Sequence, residues 1–598
     1  MLEAGAYPTN RTLGIFLNAC SSLCDIKLGK QVHGYIVKYG VEFDTSIGNA
    51  LCSLYSKCGS LDSAVKAFWR IGDKNVISWT TAISACGDNA DSAMGFTLFV
   101  EMLCMGVQPN EFTLTNILSL CCVMQALGVG SQVHSLSIKV GYGSNLPVIN
   151  SVMYLYLKCG WISEAKKLFD GMETTSLVTW NAMIAGHAQM MDFAEDGLSA
   201  HHSGIEALNI FLRLNRSGMK PDLFTFSSVL TVCSSLVALD QGEQVHAITI
   251  KNGFLSDVVV GTALVNMYNK CGSIGAASKA FVEMSTRTLI SWTSMIMAFA
   301  QHGRSQQALQ LFEDMRLAGV RPNRITFVGV LSACSHAGMV DSAMAYFEMM
   351  KRDYRIKPMI DHYACLIDML ARIGRLDEAF DYIKKLKLEP NAFIWSSFIA
   401  GCRSHGNSEL GLYAAEQLLS LNPKDYETYI LLLNMYHSAG RWQDFSRVRK
   451  TMTEKKLKKL KDWSWISIRD KVYSFKRDER LHQQCKGVDK LLGDLLEKAR
   501  SLGYEPQGSS EITDEENVEI TLSTIHHSEK LALAFGLLNT PNAGPIRIIK
   551  SISTCRDCHN FMKFISVCIE REIIIRDSKC LHRFVNGQCS CRDFGNLL

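Results

Sequence analysis

Two short motifs near the C-terminus contain side chains that could do chemistry. His527-Ser-Glu529 is an H-x-E motif, and Cys555-Arg-Asp-Cys558 is a C-x-x-C motif that begins 26 residues after Glu529. One imidazole and two thiolates can hold a zinc ion whose fourth position stays open for water. The metal lowers the pKa of that water, and a carboxylate off the metal moves the protons. The two motifs are therefore typical of a zinc-dependent hydrolytic deaminase in which Glu529 is the acid and base.

A second group of possible ligands follows, formed by His559, His582, Cys589 and Cys591. Two histidines and two cysteines close a tetrahedral structural zinc site, so we expect two zinc ions in all. The string Cys555-x-x-Cys558-His559 also fits c-type haem attachment, but haem leaves the H-x-E and C-x-C motifs unexplained. A purely structural role for the first zinc ion stays open.

Composition narrows the class of protein. The chain has 598 residues, of which 47% are hydrophobic and 20% charged, which indicates a folded chain of several domains or one elongated array. A net charge of +4 is too small for non-specific phosphate binding, so a nucleic-acid ligand would have to be selected by base contacts. No run of 18 apolar residues occurs, which argues against a membrane span. The 21 cysteines lie mostly in apolar helical runs, which indicates reduced thiols.

An internal repeat organises the rest of the chain. Gln-Val-His recurs at His33, His134 and His246, after 101 and then 112 residues, and a tryptophan motif and Lys-Cys-Gly follow the same intervals. The extra 11 residues fit the polar segment 194–204, AEDGLSAHHSG, which we expect to be a solvated loop. A unit of 101 residues divides into three helical hairpins, which bury their apolar faces only by stacking. Residues that recur in every copy are best explained as packing residues.

Three strings carry a resemblance to a known family: VISWTTAI, KCGSLDSAVKAF and EMLCMGVQPN. They resemble plant pentatricopeptide-repeat proteins of the PLS class, in which long, short and standard repeats alternate. The resemblance implies a mainly α fold, a right-handed superhelical solenoid of helix-turn-helix repeats followed by a small α/β zinc-binding domain like cytidine deaminases. The implied boundaries are a remnant of a preceding repeat at 1–10, repeats at 11–391, degenerate repeats of the E region at 392–459, an E-plus extension at 460–503 and a DYW-type deaminase domain at 504–598.

The C-terminal segment resembles the DYW domain of plant RNA-editing factors in the strings HSEKLALAFGLLNT, PIRIIKSISTCRDCH and FVNGQCSC. The resemblance supports both zinc ligand groups and implies cytidine-to-uridine editing of RNA. Three positions depart from the expected pattern. The tail reads Arg592-Asp593-Phe594-Gly595 instead of ending in Gly-Asp-Tyr-Trp, Cys580 replaces an arginine, and Thr554 stands where many deaminases have proline. The altered tail keeps a second hypothesis open, an RNA-binding factor with an inactive deaminase that recruits a partner enzyme.

The family reads one base per repeat, and the resemblance assigns this to the fifth and last residues of a repeat. An Asp side chain accepts hydrogen bonds and suits uracil or guanine, whereas an Asn amide can donate and suits adenine or cytosine. By resemblance, Thr at the fifth position goes with purines and Asn with pyrimidines. The expected order is pyrimidine–A–any–C/U–U–any–any–A–any–any, with Thr262 and Thr288 left unread. The pairs that would contact RNA are Asn49 with Asn75, Thr80 with Asn110, Asn150 with Ser176, Asn181 with Asp222, and Thr293 with Asn323.

Each of these polar residues taken alone is better explained as a helix cap or turn former. Their fixed register over three units favours RNA contact and disfavours a tetratricopeptide-like protein scaffold, whose units have one uniform length. The resemblance implies single-stranded organellar RNA as the ligand, with other editing-complex proteins as further partners and no membrane. It also implies a mitochondrial or chloroplast location, and no transit peptide is visible at the start of the sequence.

Overall fold

Helices dominate the structure. The computed structural model describes residues 8–193, 197–386, 389–455, 462–468, 471–476, 487–505, 527–540, 544–577 and 581–591. These residues form 29 helices and six strands, which confirms the expected mainly helical fold. Within the same ranges, no helix combines the length and the apolar character needed to cross a bilayer.

Twenty-six helices make up the repeat array. In chain order they are α1 Asn10–Leu23, α2 Ile26–Lys38, α3 Thr45–Lys57, α4 Leu61–Arg70, α5 Val76–Asp88, α6 Ser92–Cys104, α7 Glu111–Met124, α8 Leu127–Lys139, α9 Leu146–Lys158, α10 Ile162–Asp170, α11 Leu177–Phe193, α12 Gly197–Arg216, α13 Leu223–Leu236, α14 Leu239–Lys251, α15 Val258–Lys270, α16 Ile274–Glu283, α17 Leu289–Gln301, α18 Ser305–Leu317, α19 Arg324–Ala337, α20 Val340–Arg352, α21 Ile360–Arg372, α22 Leu376–Lys385, α23 Ala392–Ser404, α24 Ser408–Leu421, α25 Tyr426–Ser438 and α26 Trp442–Glu454.

The chain divides into two compact units, residues 1–194 with 200–229 and residues 195–199 with 230–598. In the first unit, each hairpin packs its first helix against the first helix of the next hairpin, in the order α1, α3, α5, α7, α9 and α11. The second unit shows the same stacking for α15, α17, α19, α21 and α23. Stacking of this kind buries the apolar faces of hairpins that could not fold alone, and it confirms the predicted solenoid.

The recurring Gln-Val-His motif is a packing device, as its recurrence predicts. His134 Nδ1 lies 3.0 Å from the hydroxyl of Tyr156, and the equivalent bond recurs at His33 and His246. Four residues before His134, a Cβ on Gly130 would lie 2.0 Å from Leu155 Cδ2. A larger residue at this position would therefore require the side chain of Leu155 to shift, whereas glycine permits the close approach of the two helices as it stands.

The segment 194–204 is not the loop that its polarity suggests. Residues 197–204 belong to α12, which the insertion lengthens to 20 residues, while 194–196 lie outside the described residues. Leucine, alanine and histidine are compatible with a helix, and the segment contains no proline to end one. His201 is buried, and burial lowers its pKa to about 4, so it is a neutral packing residue.

The C-terminal part of the chain forms a small α/β fold with a six-stranded sheet. Numbered along the chain, with ranges given at the end of this paragraph, the strands lie in the order β2-β1-β3-β4-β5-β6. The β3–β4 pair is parallel and all other neighbours are antiparallel. The first two strands and α27 come from the segment predicted as the E-plus extension, so that segment contributes to the sheet. The elements are β1 Trp463–Ile468, β2 Lys471–Lys476, α27 Val488–Ser501, α28 Ser528–Asn539, β3 Ile546–Lys550, α29 Arg556–Cys568, β4 Ile573–Arg576, β5 Leu581–Val585 and β6 Gln588–Cys589.

Candidate metal centre and nucleic-acid interface

The first candidate metal site lies where α28 and α29 begin. His527 is the N-cap residue of α28, and Glu529 lies in its first turn. Cys555 is the N-cap residue of α29, and Cys558 lies in its first turn. The possible ligand atoms of the four residues all lie within 4.8 Å of one another. The two helix starts therefore bring together the residues that the H-x-E and C-x-x-C motifs single out.

The histidine and cysteine atoms are spaced as ligands of one zinc ion would be. His527 Nδ1 is 3.5 Å from Cys555 Sγ and 3.2 Å from Cys558 Sγ. Tetrahedral bonds of about 2.0 Å to nitrogen and about 2.3 Å to sulfur would separate such ligands by about 3.5–3.8 Å. A hydrogen bond from Cys558 lowers the pKa of Cys555 well below its usual value, and burial raises the pKa of Cys558. The pair thus holds one thiolate, and a metal would displace the remaining proton.

Glu529 is an ionised carboxylate with one oxygen fixed. It is fully buried, and its Oε2 pairs with the ammonium of Lys550. Lys550 Nζ and the hydroxyl of Ser528 both bond to Asp462 Oδ1, at 2.8 and 2.7 Å. Burial alone would raise the pKa of Glu529, but the charges of Lys550 and His527 and the hydrogen bonds to the carboxylate together lower the pKa to about 2. Its Oε1 has no hydrogen-bond partner among the described residues, so this oxygen is available for proton transfer.

A buried ion pair ties the two motifs together. Lys530 follows Glu529, Asp557 stands between the two cysteines, and their Nζ and Oδ2 atoms lie 2.6 Å apart. The hydroxyl of Tyr504 donates to Asp557 Oδ1 at 2.7 Å and lies 3.3 Å from Lys530 Nζ. Burial opposes the charge on Lys530, but the negative groups around it raise its pKa above the ordinary value. The starts of α28 and α29 are therefore held together by charge as well as by any metal.

The second ligand group also assembles. His559 Nε2 lies 3.2 Å from Cys591 Sγ, His582 Nδ1 lies 3.6 Å from Cys589 Sγ, and the two sulfurs are 3.3 Å apart. A hydrogen bond from Cys589 lowers the pKa of Cys591 to about 2. The opposite ring nitrogen of His582 lies 3.2 Å from Asp577 Oδ2, an arrangement that orients a histidine for metal binding.

Asp577 links this second group to the first. Its Oδ2 also accepts a hydrogen bond of 2.9 Å from the backbone N–H of Thr554, the residue before Cys555. A proline at this position has no N–H to donate. The threonine at position 554 therefore allows a backbone hydrogen bond to Asp577 that a proline could not make.

The motifs alone did not reveal the charged residues around the ligands. Asp462, Lys530, Lys550, Asp557 and Asp577 are buried. Only Lys550 follows an apolar run, Ile548-Ile549, whereas the other four have polar or charged residues beside them and so leave no clear signal of burial. Cys580 and the altered tail at 592–595 lie outside the described residues.

The polar pairs of the repeat array meet at the ends of first helices. Asn181 Nδ2 donates to Asp222 Oδ1 at 3.0 Å. Burial opposes the charge on Asp222, but hydrogen bonds from Thr225 and Asn181 lower its pKa, so the side chain is an ionised acceptor. Three other pairs share a threonine hydroxyl that bonds to both members: Thr80 with Asn110, Asn150 with Ser176, and Thr293 with Asn323.

Asn49 and Asn75 are the one predicted pair that is not connected in this way, since no hydrogen bond among the described residues joins them directly or through a third side chain.

The interpretation of these residues as helix caps also holds, because Asn75, Asn110 and Asn323 each accept a hydrogen bond from a backbone N–H of the next helix. Capping occupies the Oδ1 atom of these residues and leaves the amide nitrogen to donate.

An exposed apolar residue accompanies the pairs, and the sequence analysis missed it. The second residue of eight first helices is a large hydrophobic side chain that remains 48–67% exposed. These residues are Ile77, Phe112, Val178, Phe224, Val259, Ile290, Ile325 and Phe393. A groove of about 500 Å³ beside Val178 is lined by Asn150, Ser176 and Tyr154. Apolar and aromatic surfaces next to polar groups suit unpaired bases, and the period of the repeat would have located them.

Comparison with known protein families matches both parts of the chain. The profile of the DYW family of nucleic acid deaminases matches residues 503–595, and the E motif matches 405–467. Profiles of the PPR repeat match residues 74–123, 148–174, 287–336, 325–354 and 361–389.

Curated relatives from Arabidopsis thaliana align over nearly the whole chain. A chloroplastic pentatricopeptide repeat-containing protein is 36% identical over 99% of this chain and 72% of its own length. A second pentatricopeptide repeat-containing protein, whose name gives no compartment, is 36% identical over 98% of this chain and 97% of its own length. A mitochondrial one is 36% identical over 97% of this chain and 91% of its own length.

Solved structures agree on the fold. The pentatricopeptide repeat protein PPR10 from maize is similar at a TM-score of 0.52 and 18% identity, over 77% of this chain and 71% of that one. PPR10 in complex with an 18-nt psaJ RNA element is similar at a TM-score of 0.59 and 18% identity, over 76% and 65% of the two chains. With its repeats, its E motif and its C-terminal DYW-type domain, the chain belongs to the pentatricopeptide-repeat protein family.

Proposed function

We propose that this protein binds one site in a single-stranded organellar RNA and converts a cytidine there to uridine by zinc-dependent hydrolytic deamination. The observation that carries the proposal is the buried carboxylate of Glu529, which lies within 4.8 Å of the ligand atoms of His527, Cys555 and Cys558. A zinc site that served structure alone would not need a fourth, ionised group with an unpartnered oxygen in the same space.

The chain's own groups have distinct parts in this chemistry. His527, Cys555 and Cys558 would hold the zinc ion, which supplies a bound water of lowered pKa. Glu529 would accept a proton from the attacking water at Oε1 and pass it to the ring nitrogen of cytosine, while the water oxygen would bond to the ring carbon that bears the amine. The carbon–nitrogen bond would then break, and Glu529 would carry the second water proton to the departing amine. Cytidine and water thereby become uridine and ammonia. Lys550 keeps Glu529 ionised and anchors Oε2, so the same oxygen serves each transfer.

The repeat array would select the RNA. The exposed apolar residues at the second helix positions offer surfaces against which bases can pack, and the polar pairs offer donors and acceptors to base edges. Asp222 is ionised and has Oδ2 outside its cap bonds, which suits the N–H of uracil. The maize relative bound to an RNA element shares this fold, which supports the same use here.

The test is deamination of a matched RNA by purified, zinc-loaded protein. Wild type should convert the cytidine, and Glu529→Ala should abolish conversion while zinc content and RNA affinity stay at the wild-type level. Glu505→Ala removes an exposed glutamate of the same domain and should leave conversion intact. If wild type and Glu529→Ala bind RNA equally and neither converts the cytidine, the enzymatic proposal fails.

A second function is favoured by the tail, which reads Arg592-Asp593-Phe594-Gly595. In that case the protein would select the RNA site and recruit a partner deaminase from the editing complex. Restoring Asp-Tyr-Trp at the end of the chain should then produce conversion that wild type lacks. In either case we propose two bound zinc ions and a location in mitochondria or chloroplasts, as the names of the relatives suggest.

A further inference from the structure

The two members of a polar pair are joined by a buried hydroxyl group, which belongs to the next repeat along the chain. Thr113 is the third residue of α7 and is fully buried. Its Oγ1 lies 2.6 Å from Thr80 Oγ1 and 2.9 Å from Asn110 Oδ1. One side chain outside the pair therefore contacts both of the residues that we expect to read a base.

The same arrangement recurs at every predicted pair for which the next first helix has threonine as its third residue. In each case the threonine hydroxyl contacts both members of the pair. All four threonines are fully buried. The other three lie as follows: Thr179 is 2.9 Å from Asn150 and 3.0 Å from Ser176, Thr225 is 2.6 Å from Asn181 and 2.8 Å from Asp222, and Thr326 is 2.8 Å from Thr293 and 3.0 Å from Asn323.

Serine at this position does not join the pair. Ser78 donates to Asn75 Oδ1 at 3.2 Å but makes no hydrogen bond to Asn49, whose buried Oδ1 has no partner among the described residues. Ser291 bonds only to the backbone of Thr288. The methyl group of threonine restricts rotation about the Cα–Cβ bond, which leaves its hydroxyl fewer directions than the hydroxyl of serine has. Threonine and serine therefore give two classes of pair within one array.

The consequence concerns base selection. A hydroxyl has one proton and two lone pairs, so a hydroxyl placed between two polar groups limits which of their atoms can face a ligand. Because the threonine is buried, water does not compete for these bonds. A pair held in one arrangement before binding loses less conformational entropy when a base arrives.

We infer that the third helix residue is a specificity-determining positioning residue, and that threonine there sharpens base discrimination by the pair of the preceding repeat. The inference rests on the proposed reading of RNA by the array. It concerns a side chain that does not itself contact the base.

The experiment uses Thr113→Val, which keeps the shape of the side chain and removes the hydroxyl. Affinity is measured for two RNAs of the expected order that carry adenine or cytosine at the base assigned to Thr80 and Asn110. The preference for adenine should fall about 3- to 10-fold, the equivalent of one hydrogen bond. Preference for uracil at Asn181 and Asp222 should not change, which separates loss of discrimination from general damage. Thr97→Val, on an exposed face of α6, should behave as wild type.

The reciprocal variant Ser78→Thr should raise discrimination at the base assigned to Asn49 and Asn75, since the added methyl group should direct the existing hydroxyl so that it contacts Asn49 Oδ1 as well as Asn75 Oδ1. This variant decides the question if Thr113→Val does not fold. An unchanged adenine preference in folded Thr113→Val, or no gain in Ser78→Thr, overturns the inference when wild type discriminates. A wild type that binds matched and shuffled RNA equally instead overturns the proposed function.

Discussion

The repeat array and the C-terminal domain use polar side chains in opposite ways. In the array, small polar groups, of which Asp222 alone among the predicted pairs is charged, recur at equivalent helix ends, and most are partly exposed near an exposed apolar residue. In the C-terminal domain, charged groups such as Glu529, Lys530 and Lys550 are almost wholly buried, and each occurs once. The array thus distributes its chemistry over many similar sites, whereas the domain concentrates it in one.

This difference predicts how each region responds to substitution. A site built from single copies of buried, mutually paired groups loses its function when one member is removed. A surface built from repeated pairs loses a fraction of its selectivity for each pair changed, because well-separated contacts are nearly additive. The predictions below run from the largest expected effect to the smallest.

The largest effect should follow Cys558→Ala. Removing one of three proposed ligands should release the first zinc ion, so zinc content measured by atomic emission should fall from two ions per chain to one, and cytidine conversion should disappear. Cys568→Ala, which changes a cysteine outside both ligand groups, should leave both values unchanged. Two ions retained by Cys558→Ala would remove it from the ligand set.

Lys530→Met should destabilise the C-terminal domain by about 3–5 kcal/mol, because it removes the positive charge beside the buried carboxylate of Asp557, which then keeps only neutral donors such as the Tyr504 hydroxyl. The double variant Lys530→Met with Asp557→Leu should regain most of that loss in urea unfolding of the full chain. It should bind zinc more weakly than wild type, because the two helix starts are then held by the metal alone. Lys490→Met serves as the exposed control on α27. Equal stability of the single and double variants would show that the Lys530–Asp557 ion pair does not stabilise the domain.

Asp222→Asn should change selectivity without changing the fold. Asparagine caps the helix as well as aspartate does, but its amide can donate, so the preference at this base should move from uracil toward cytosine by about tenfold. Asp91→Asn alters a cap on α6 that belongs to no pair and should have no effect on base preference. A uniform loss of affinity in Asp222→Asn would mean that the residue is only a cap.

The smallest effect should be a pH dependence of the array. Burial lowers the pKa of His33, His134 and His246, so the folded array binds fewer protons than the unfolded chain near pH 6. Stability should be complete above the ordinary histidine pKa of about 6.5 and decrease as the pH falls below it. Thermal unfolding between pH 7.5 and 5 measures this. Replacing all three histidines by glutamine should reduce the slope of the profile but not abolish it, because burial also lowers the pKa of His187, His201 and His302.

Local patterns predicted much of this molecule because repetition makes them readable. The three copies of the Gln-Val-His motif indicated a packing role, and the length of the 101-residue unit indicated three helical hairpins. The ligand groups were visible because metal sites require particular residue types at short spacing. The segment 197–204 was misjudged, because polarity alone does not separate a loop from the exposed start of a helix. The ion pairs around Glu529 were beyond prediction. Lys550 pairs with Glu529 and with Asp462, and Lys550 and Asp462 come together only through the pairing of β1 with β3.

The most direct test of the account is one editing reaction. Purified, zinc-loaded protein is incubated with a synthetic RNA that carries the expected base order and several cytidines 3′ of it, and the product is sequenced. The account predicts that a single cytidine, at a constant distance from the recognised bases, becomes uridine, and that moving the recognised bases moves the converted position with them. Conversion spread over all cytidines, or none on an RNA that the protein demonstrably binds, would contradict it.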